Sequence, residues 1–162
     1  MRRYIWVSAD AASTMYQAAH AGAARETGGI LVGYREPKQI VVTHALHLPP
    51  VHGLSDRYTR DETAANLALG LYLEGRESDD PEGYVGEWHS HPGPSGPSPV
   101  DLKAVREIAD VVGDSVALIV VRVTRWRRLA GIIAEVSRVG RSLARPATVK
   151  VVGPQINREG TK

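Results

Sequence analysis

The chain has 162 residues, the size of one domain, and its 43% hydrophobic and 23% charged residues are typical of a globular protein with an adequate core. It contains no cysteine, which excludes disulfides, thiolate metal sites and a cysteine nucleophile. The net charge is +2, and the strongly apolar run at 116–121 is too short to span a membrane. With an early apolar run too short for a signal peptide, these features predict one cytoplasmic domain over residues 1–162.

Hydrophobic periodicity predicts alternating strands and helices. Runs with period-two alternation or β-branched residues predict strands at 4–7, 30–34, 39–48, 84–91, 115–124, 128–136 and, shorter, 148–152. Apolar residues three and four apart predict helices at 10–24, 59–73 and 100–112. Gly28-Gly29 is expected to separate the first helix from the strand at 30–34. The predicted fold class is α/β, a single mixed β-sheet flanked by helices.

Positive charge is concentrated toward the C-terminus. From Arg122 onward the acidic residues are Glu135 and Glu159, and residues 138–162 are predicted to be a basic tail that can be mobile. A basic end can bind nucleic acid or an acidic partner. Since Trp126 is its single aromatic residue, we expect a solvated basic surface and no nucleic-acid groove.

Residues 87–101, EWHSHPGPSGPSPVD, combine two histidines with a helix start. His89 and His91 lie two apart on a predicted strand, so both side chains face one side, with Cα atoms roughly 6.6 Å apart. After a Gly/Pro-rich turn, Ser98, Pro99 and Asp101 have the types expected at the N-cap, first and third positions of a helix.

Each of these residues also has a purely structural interpretation. Ser98 and Asp101 can form only a capping box, and the histidines can be ordinary polar strand residues. Their combination in fifteen residues favours one bound Zn²⁺, with two imidazoles and one carboxylate as ligands and a fourth position open, which is typical of catalytic zinc.

The run His-Ser-His-Pro followed by Ser-Pro-Val-Asp resembles the signature of the JAMM (JAB/MPN) zinc metalloproteases. The upstream stretch RETGGILVGY, residues 25–34, is similar to a second block of that family, and the resemblance covers about 26–121. It implies a JAB/MPN, cytidine-deaminase-like architecture in which His89, His91 and Asp101 bind zinc. It further implies that Glu26 is the general base and that Ser98 helps to stabilise the oxyanion.

Two features leave alternatives open within that site. Glu87 shares the predicted strand face of both histidines and is therefore a rival base. Nine residues separate His91 from Asp101, one fewer than is usual in the family, and the loop at 93–97 is expected to absorb the difference. The remaining histidines are expected to be structural or at the surface: His20, His44, His47 and His52.

The resemblance implies a zinc-dependent peptidase or isopeptidase that cleaves after the C-terminus of a ubiquitin-like protein or another conjugated protein. The chain resembles stand-alone bacterial forms that occur with activating- and conjugating-enzyme homologues, including those of anti-phage signalling operons. One alternative is a processing peptidase for a ubiquitin-like sulfur carrier. An alternative of another class is a DNA-associated protein or a non-catalytic JAB-like binding module.

Overall fold

The computed structural model describes residues 2–22, 25–48, 61–124, 128–137 and 140–153. Within these ranges the chain forms seven strands and three helices in the predicted order. They are β1 (Tyr4–Ser8), α1 (Ala9–Gly22), β2 (Gly28–Glu36), β3 (Gln39–Leu48), α2 (Glu62–Leu73), β4 (Gly83–His91), α3 (Pro99–Val112), β5 (Val116–Arg122), β6 (Arg128–Glu135) and β7 (Leu143–Val152). The predicted loop at 49–57, the first residues of the second helix and Trp126 lie outside the described residues.

The strands form one mixed sheet in the order β1-β3-β2-β4-β5-β6-β7. The sheet closes because β1 pairs in parallel with both β3 and β7. β4 also runs parallel to β5, and the other neighbours are antiparallel. The predicted mixed sheet flanked by helices is confirmed, and its closure is an additional finding.

Helices cover both faces of the sheet, as the side chains of β5 show. Its residues 117, 119 and 121 belong to the core cluster that contains α1. Residues 116, 118 and 120 belong to the cluster that contains α3. The smaller helix α2 contributes Ala65 to a third cluster with Ile30 and Leu48. Burial on two faces explains why β5 reads as a continuous apolar run.

The C-terminal region differs from its prediction. Residues 143–152, which fall in the predicted tail, form a ten-residue strand, β7, twice the predicted length. Its first half pairs with β6 and its second half with β1. Pro146 and the charged residues Arg145 and Lys150 weaken the strand signal in the sequence. Pro146 has no backbone N–H, but it lies in the half of β7 that pairs with β6 alone, and a sheet tolerates proline where one strand edge is unpaired.

Gly28 and Gly29 do not interrupt the chain between a helix and a strand, as the sequence suggested; both lie inside β2. At Gly29 the sheet is too crowded for a side chain, because a Cβ atom would lie 1.7 Å from the Leu46 carbonyl oxygen. The same carbonyl accepts a hydrogen bond of 3.2 Å from Nε1 of the buried Trp88. Glycine is therefore needed for a close backbone approach rather than for a turn.

We expect Gly29→Ala to destabilise the protein by about 3 kcal/mol or more, at the upper end of overpacking costs. The matched control is Gly70→Ala in α2, where a new Cβ would meet no atom within 4 Å. That control should stabilise the helix by about 0.5–1 kcal/mol. Urea denaturation measures both, and a Gly29→Ala protein as stable as the wild type would contradict the close approach.

Candidate metal centre

The first part of the site is the C-terminal end of β4, where period-two alternation points His89 and His91 the same way. Their Nε2 atoms are 3.1 Å apart. The two side chains are only 13% and 12% exposed, so the imidazoles converge in a largely covered position. Ser90, between them, points to the other side and is buried.

The second part of the site is the first turn of α3. The Ser98 Oγ accepts a hydrogen bond of 3.2 Å from the Asp101 backbone N–H, and the Ser98 N–H donates one of 2.7 Å to Asp101 Oδ2. This is a complete capping box with Pro99 at the helix start. The predicted structural role of Ser98 and Asp101 is therefore present.

The capping box does not prevent Asp101 from facing the histidines. Its Oδ1 lies 3.3 Å from His89 Nε2, and its Oδ2 lies 3.5 Å from His91 Nε2. The nine-residue connection after His91 thus still brings the aspartate to the strand end. The capping hydrogen bond fixes the direction of the Asp101 carboxylate. Asp101 thus belongs both to the helix start and to the donor group.

These three residues form a group that could hold a metal ion. In a tetrahedral zinc site with bonds of about 2.0–2.1 Å, neighbouring donor atoms lie about 3.3 Å apart. The two Nε2 atoms are 3.1 Å apart, close to that spacing, and the carboxylate brings Oδ1 to 3.3 Å from His89 and Oδ2 to 3.5 Å from His91. With one ligand atom taken from each residue, all three lie within 4.8 Å of one another. Two imidazoles and one carboxylate are also the ligand types of zinc sites that keep an open position.

The charge state of Asp101 suits a cation. Burial alone would raise the pKa of its carboxyl group, but hydrogen bonds from His89 and from the Ser98 backbone outweigh that effect. The pKa is therefore well below the ordinary carboxyl value. The side chain is an anion at neutral pH.

The loop after β4 orients one of the imidazoles. His91 Nδ1 lies 3.2 Å from the Ser95 carbonyl oxygen, which can only accept, so Nδ1 carries the proton. The Nε2 atom, which faces His89 and Asp101, is then the unprotonated nitrogen in the neutral ring. A backbone carbonyl on the distal nitrogen is a common means of orienting a metal-binding histidine.

Glu26 lies directly before β2 and reaches the same group. Its Oε1 is 3.9 Å from His91 Nε2, and its side chain is 21% exposed. The structure therefore brings Glu26 to the edge of the cluster, within reach of a small molecule between it and the histidines.

Thr27 and Ser90, which sequence reasoning missed, anchor the backbone next to Glu26. The Thr27 N–H donates to Ser90 Oγ at 3.0 Å, and the Ser90 N–H donates to the Thr27 carbonyl at 2.8 Å. Both residues are buried. The available signal was the alternation itself, since a residue between two same-facing histidines must face the opposite side.

The other candidates have different surroundings. Glu87 accepts a hydrogen bond of 3.1 Å from the Tyr84 hydroxyl and does not belong to the three-residue donor group. His44 is exposed beside Tyr72, and His47 Nε2 lies 2.7 Å from Thr27 Oγ1. His20 is exposed in the last turn of α1, and His52 lies outside the described residues. In the part of the chain that the structure describes, no helix is long and apolar enough to cross a membrane.

The closed mixed sheet and its histidine–aspartate group together define an α/β protein with a candidate metal centre at one sheet end. A family model described as prokaryotic homologs of the JAB domain matches residues 8–130, and the chain belongs to that family. The predicted JAMM-type resemblance is confirmed, and members of the wider JAB/MPN family are often metal-dependent isopeptidases.

Known relatives agree with this assignment. The chain is 36% identical to COP9 signalosome complex subunit 5 of Aspergillus fumigatus over 89 residues. This stretch is 55% of this chain and 26% of that protein. The same subunit of Emericella nidulans is 36% identical over 87 residues, 54% of this chain and 26% of that protein. The chain thus spans about a quarter of the length of these relatives.

A solved structure supports the fold. The solution structure of a protein from Desulfitobacterium hafniense superposes with a TM-score of 0.63. The aligned region covers 98% of this chain and 99% of that protein's chain. Its sequence is 15% identical, so the likeness concerns the fold alone.

Proposed function

We propose that the protein is a zinc-dependent peptidase or isopeptidase that cleaves the amide bond after the C-terminus of a ubiquitin-like protein or another conjugated protein. The observation that carries the proposal is the compact donor group of His89, His91 and Asp101, with Glu26 at its edge. Membership of the JAB family supports the same reaction class. A cytoplasmic location is part of this proposal.

In this proposal the two imidazoles and the Asp101 carboxylate bind the zinc. Zinc in such a site acts as a Lewis acid that lowers the pKa of water to about 7 and polarises a carbonyl group. This chemistry needs a base that accepts the water proton and a group that stabilises negative charge on the carbonyl oxygen.

Glu26 is the proposed base. Its carboxylate lies 3.9 Å from a metal-facing nitrogen, close enough to share a bound water with the donor group. After accepting the proton it would donate it to the leaving amine, so that the departing group is neutral. The hydrogen bonds between Thr27 and Ser90 anchor the backbone directly after Glu26 to β4.

Ser98 is the proposed oxyanion donor. Its hydroxyl oxygen accepts from the Asp101 N–H, which uses a lone pair and leaves the hydroxyl proton able to donate. The N-terminal end of α3 adds favourable electrostatics for a developing negative charge. Capping and catalysis are thus compatible at this side chain.

The test is a cleavage assay with purified, zinc-analysed protein. The substrates are fusions in which a reporter follows the C-terminal tail of a ubiquitin-like protein or of a ubiquitin-like sulfur carrier. Zinc-dependent release of the reporter from the first would support deconjugation, and release from the second alone would favour the processing alternative. Zinc binding without cleavage of either, or salt-sensitive DNA binding without cleavage, would overturn the proposal in favour of a non-catalytic or DNA-associated protein.

A further inference from the structure

The end of β5 lies directly beside the backbone of His91. Arg122 is the register partner of His91 in the parallel β4–β5 pair. The next residue, Val123, donates its N–H to the His91 carbonyl at 2.9 Å. Arg122 therefore starts from a fixed backbone position next to the metal centre.

The guanidinium of Arg122 extends beneath the loop that follows β4. Its Nη1 donates to the Pro94 carbonyl at 3.3 Å. Its Nε is buried and has no hydrogen-bond partner in the described part of the structure.

The carbonyl next to Pro94 is the one that orients His91. Ser95 O accepts from His91 Nδ1 at 3.2 Å, and Gly93 N–H donates to the His91 carbonyl at 2.8 Å. Pro94 and Ser95 are exposed, so this short loop has little side-chain packing of its own. Arg122 instead provides a charged hydrogen bond from the sheet to the loop.

We propose that Arg122 is a positioning residue of the metal centre: by binding the Pro94 carbonyl it fixes the Ser95 carbonyl, which in turn orients the His91 imidazole for metal binding. This inference rests on the proposed function, because it concerns the same donor group. It predicts an effect on metal affinity that does not depend on any substrate.

The experiment compares the zinc affinities of Arg122→Met, Arg122→Lys and Arg128→Met proteins by competition with a chromogenic chelator. Residues that support metal ligands contribute about 10–100-fold to affinity, and Arg122 acts one step further out, so Arg122→Met should bind zinc about tenfold more weakly. Lysine keeps the charge but not the planar guanidinium, so its affinity should be reduced by about threefold.

Arg128 is the matched control. It is the register partner of Arg122 on β6, is exposed, and lines a 380 Å³ cleft together with Arg122. Arg128→Met removes the same charge from the same region and should keep wild-type zinc affinity. Urea denaturation of the zinc-free proteins separates loss of affinity from loss of folding.

The outcomes distinguish this inference from the proposed function. Wild-type affinity in Arg122→Met, or an equal loss in Arg128→Met, would overturn the positioning role while leaving the peptidase intact. A selective loss in Arg122→Met supports the role even if no fusion is cleaved. A wild-type protein without zinc affinity overturns both. If Arg122→Met does not fold, the test rests on Arg122→Lys. Wild-type zinc affinity in that variant would overturn the positioning role of Arg122.

Discussion

Asp101→Asn is expected to remove zinc binding without unfolding the protein. Mutating residues that only hydrogen-bond to metal ligands already lowers metal affinity by about 10–100-fold. Loss of a direct anionic ligand should therefore weaken zinc binding by at least ~100-fold. Asparagine keeps an oxygen that can accept from the Ser98 N–H, so the first turn of α3 should persist. Chelator competition measures the affinity, the peptide-release assay should fall to background, and circular dichroism should report an unchanged fold.

Asp110→Asn is the matched control for that experiment. Asp110 lies on the same helix and accepts hydrogen bonds from the Ser142 backbone and hydroxyl at 2.9 and 2.7 Å, but it is not part of the donor group. Its replacement should cost stability and leave zinc affinity unchanged. If Asp101→Asn bound zinc as tightly as the wild type, the carboxylate would have a capping role only.

Glu26→Gln is expected to separate catalysis from metal binding. The amide cannot accept the water proton, and positioned acid–base groups contribute about 10²–10⁴-fold, so kcat should fall by that factor. Since Glu26 is outside the three-residue donor group, zinc affinity should stay within about twofold of the wild type. Single-turnover cleavage together with chelator competition tests both statements.

Glu62→Gln controls for the general effect of losing a carboxylate. Glu62 is exposed at the start of α2 and should be replaceable without effect on cleavage. A fully active Glu26→Gln enzyme would refute the assignment of the base. A variant of Glu87, the rival base suggested by the sequence, would then be the next to test.

Local signals predicted α3 and its neighbourhood well. Serine, proline and an acid at fixed positions determine a helix start through short-range hydrogen bonds, and the structure shows all of them between Ser98 and Asp101. The convergence of His89 and His91 follows likewise from the two-residue period of a strand. Such features need no knowledge of the rest of the chain.

Long-range features were not predictable in the same way. The sequence shows two adjacent glycines but not the Leu46 carbonyl that approaches Gly29, so a turn was the natural interpretation. The closure of the sheet depends on pairing between β1 and β7, which lie at opposite ends of the chain. Neither effect leaves a local pattern.

The candidate site shows the same division. The three donors could be inferred from residue types and spacing, whereas Glu26, more than sixty residues upstream of His89, was connected to them only through the family resemblance. The hydrogen bonds between Thr27 and Ser90 that position it involve two ordinary hydroxyl residues. Their importance follows from burial, which periodicity can suggest but cannot establish.

The pairing of β1 with β7 also bears on how the chain is made. β1 is the first strand of the described chain to leave the ribosome, and β7 is the last. One edge of β1 therefore stays open during translation until residues 143–152 have emerged. An open edge invites pairing with other chains, so the nascent protein carries an aggregation-prone strand edge until β7 pairs with β1.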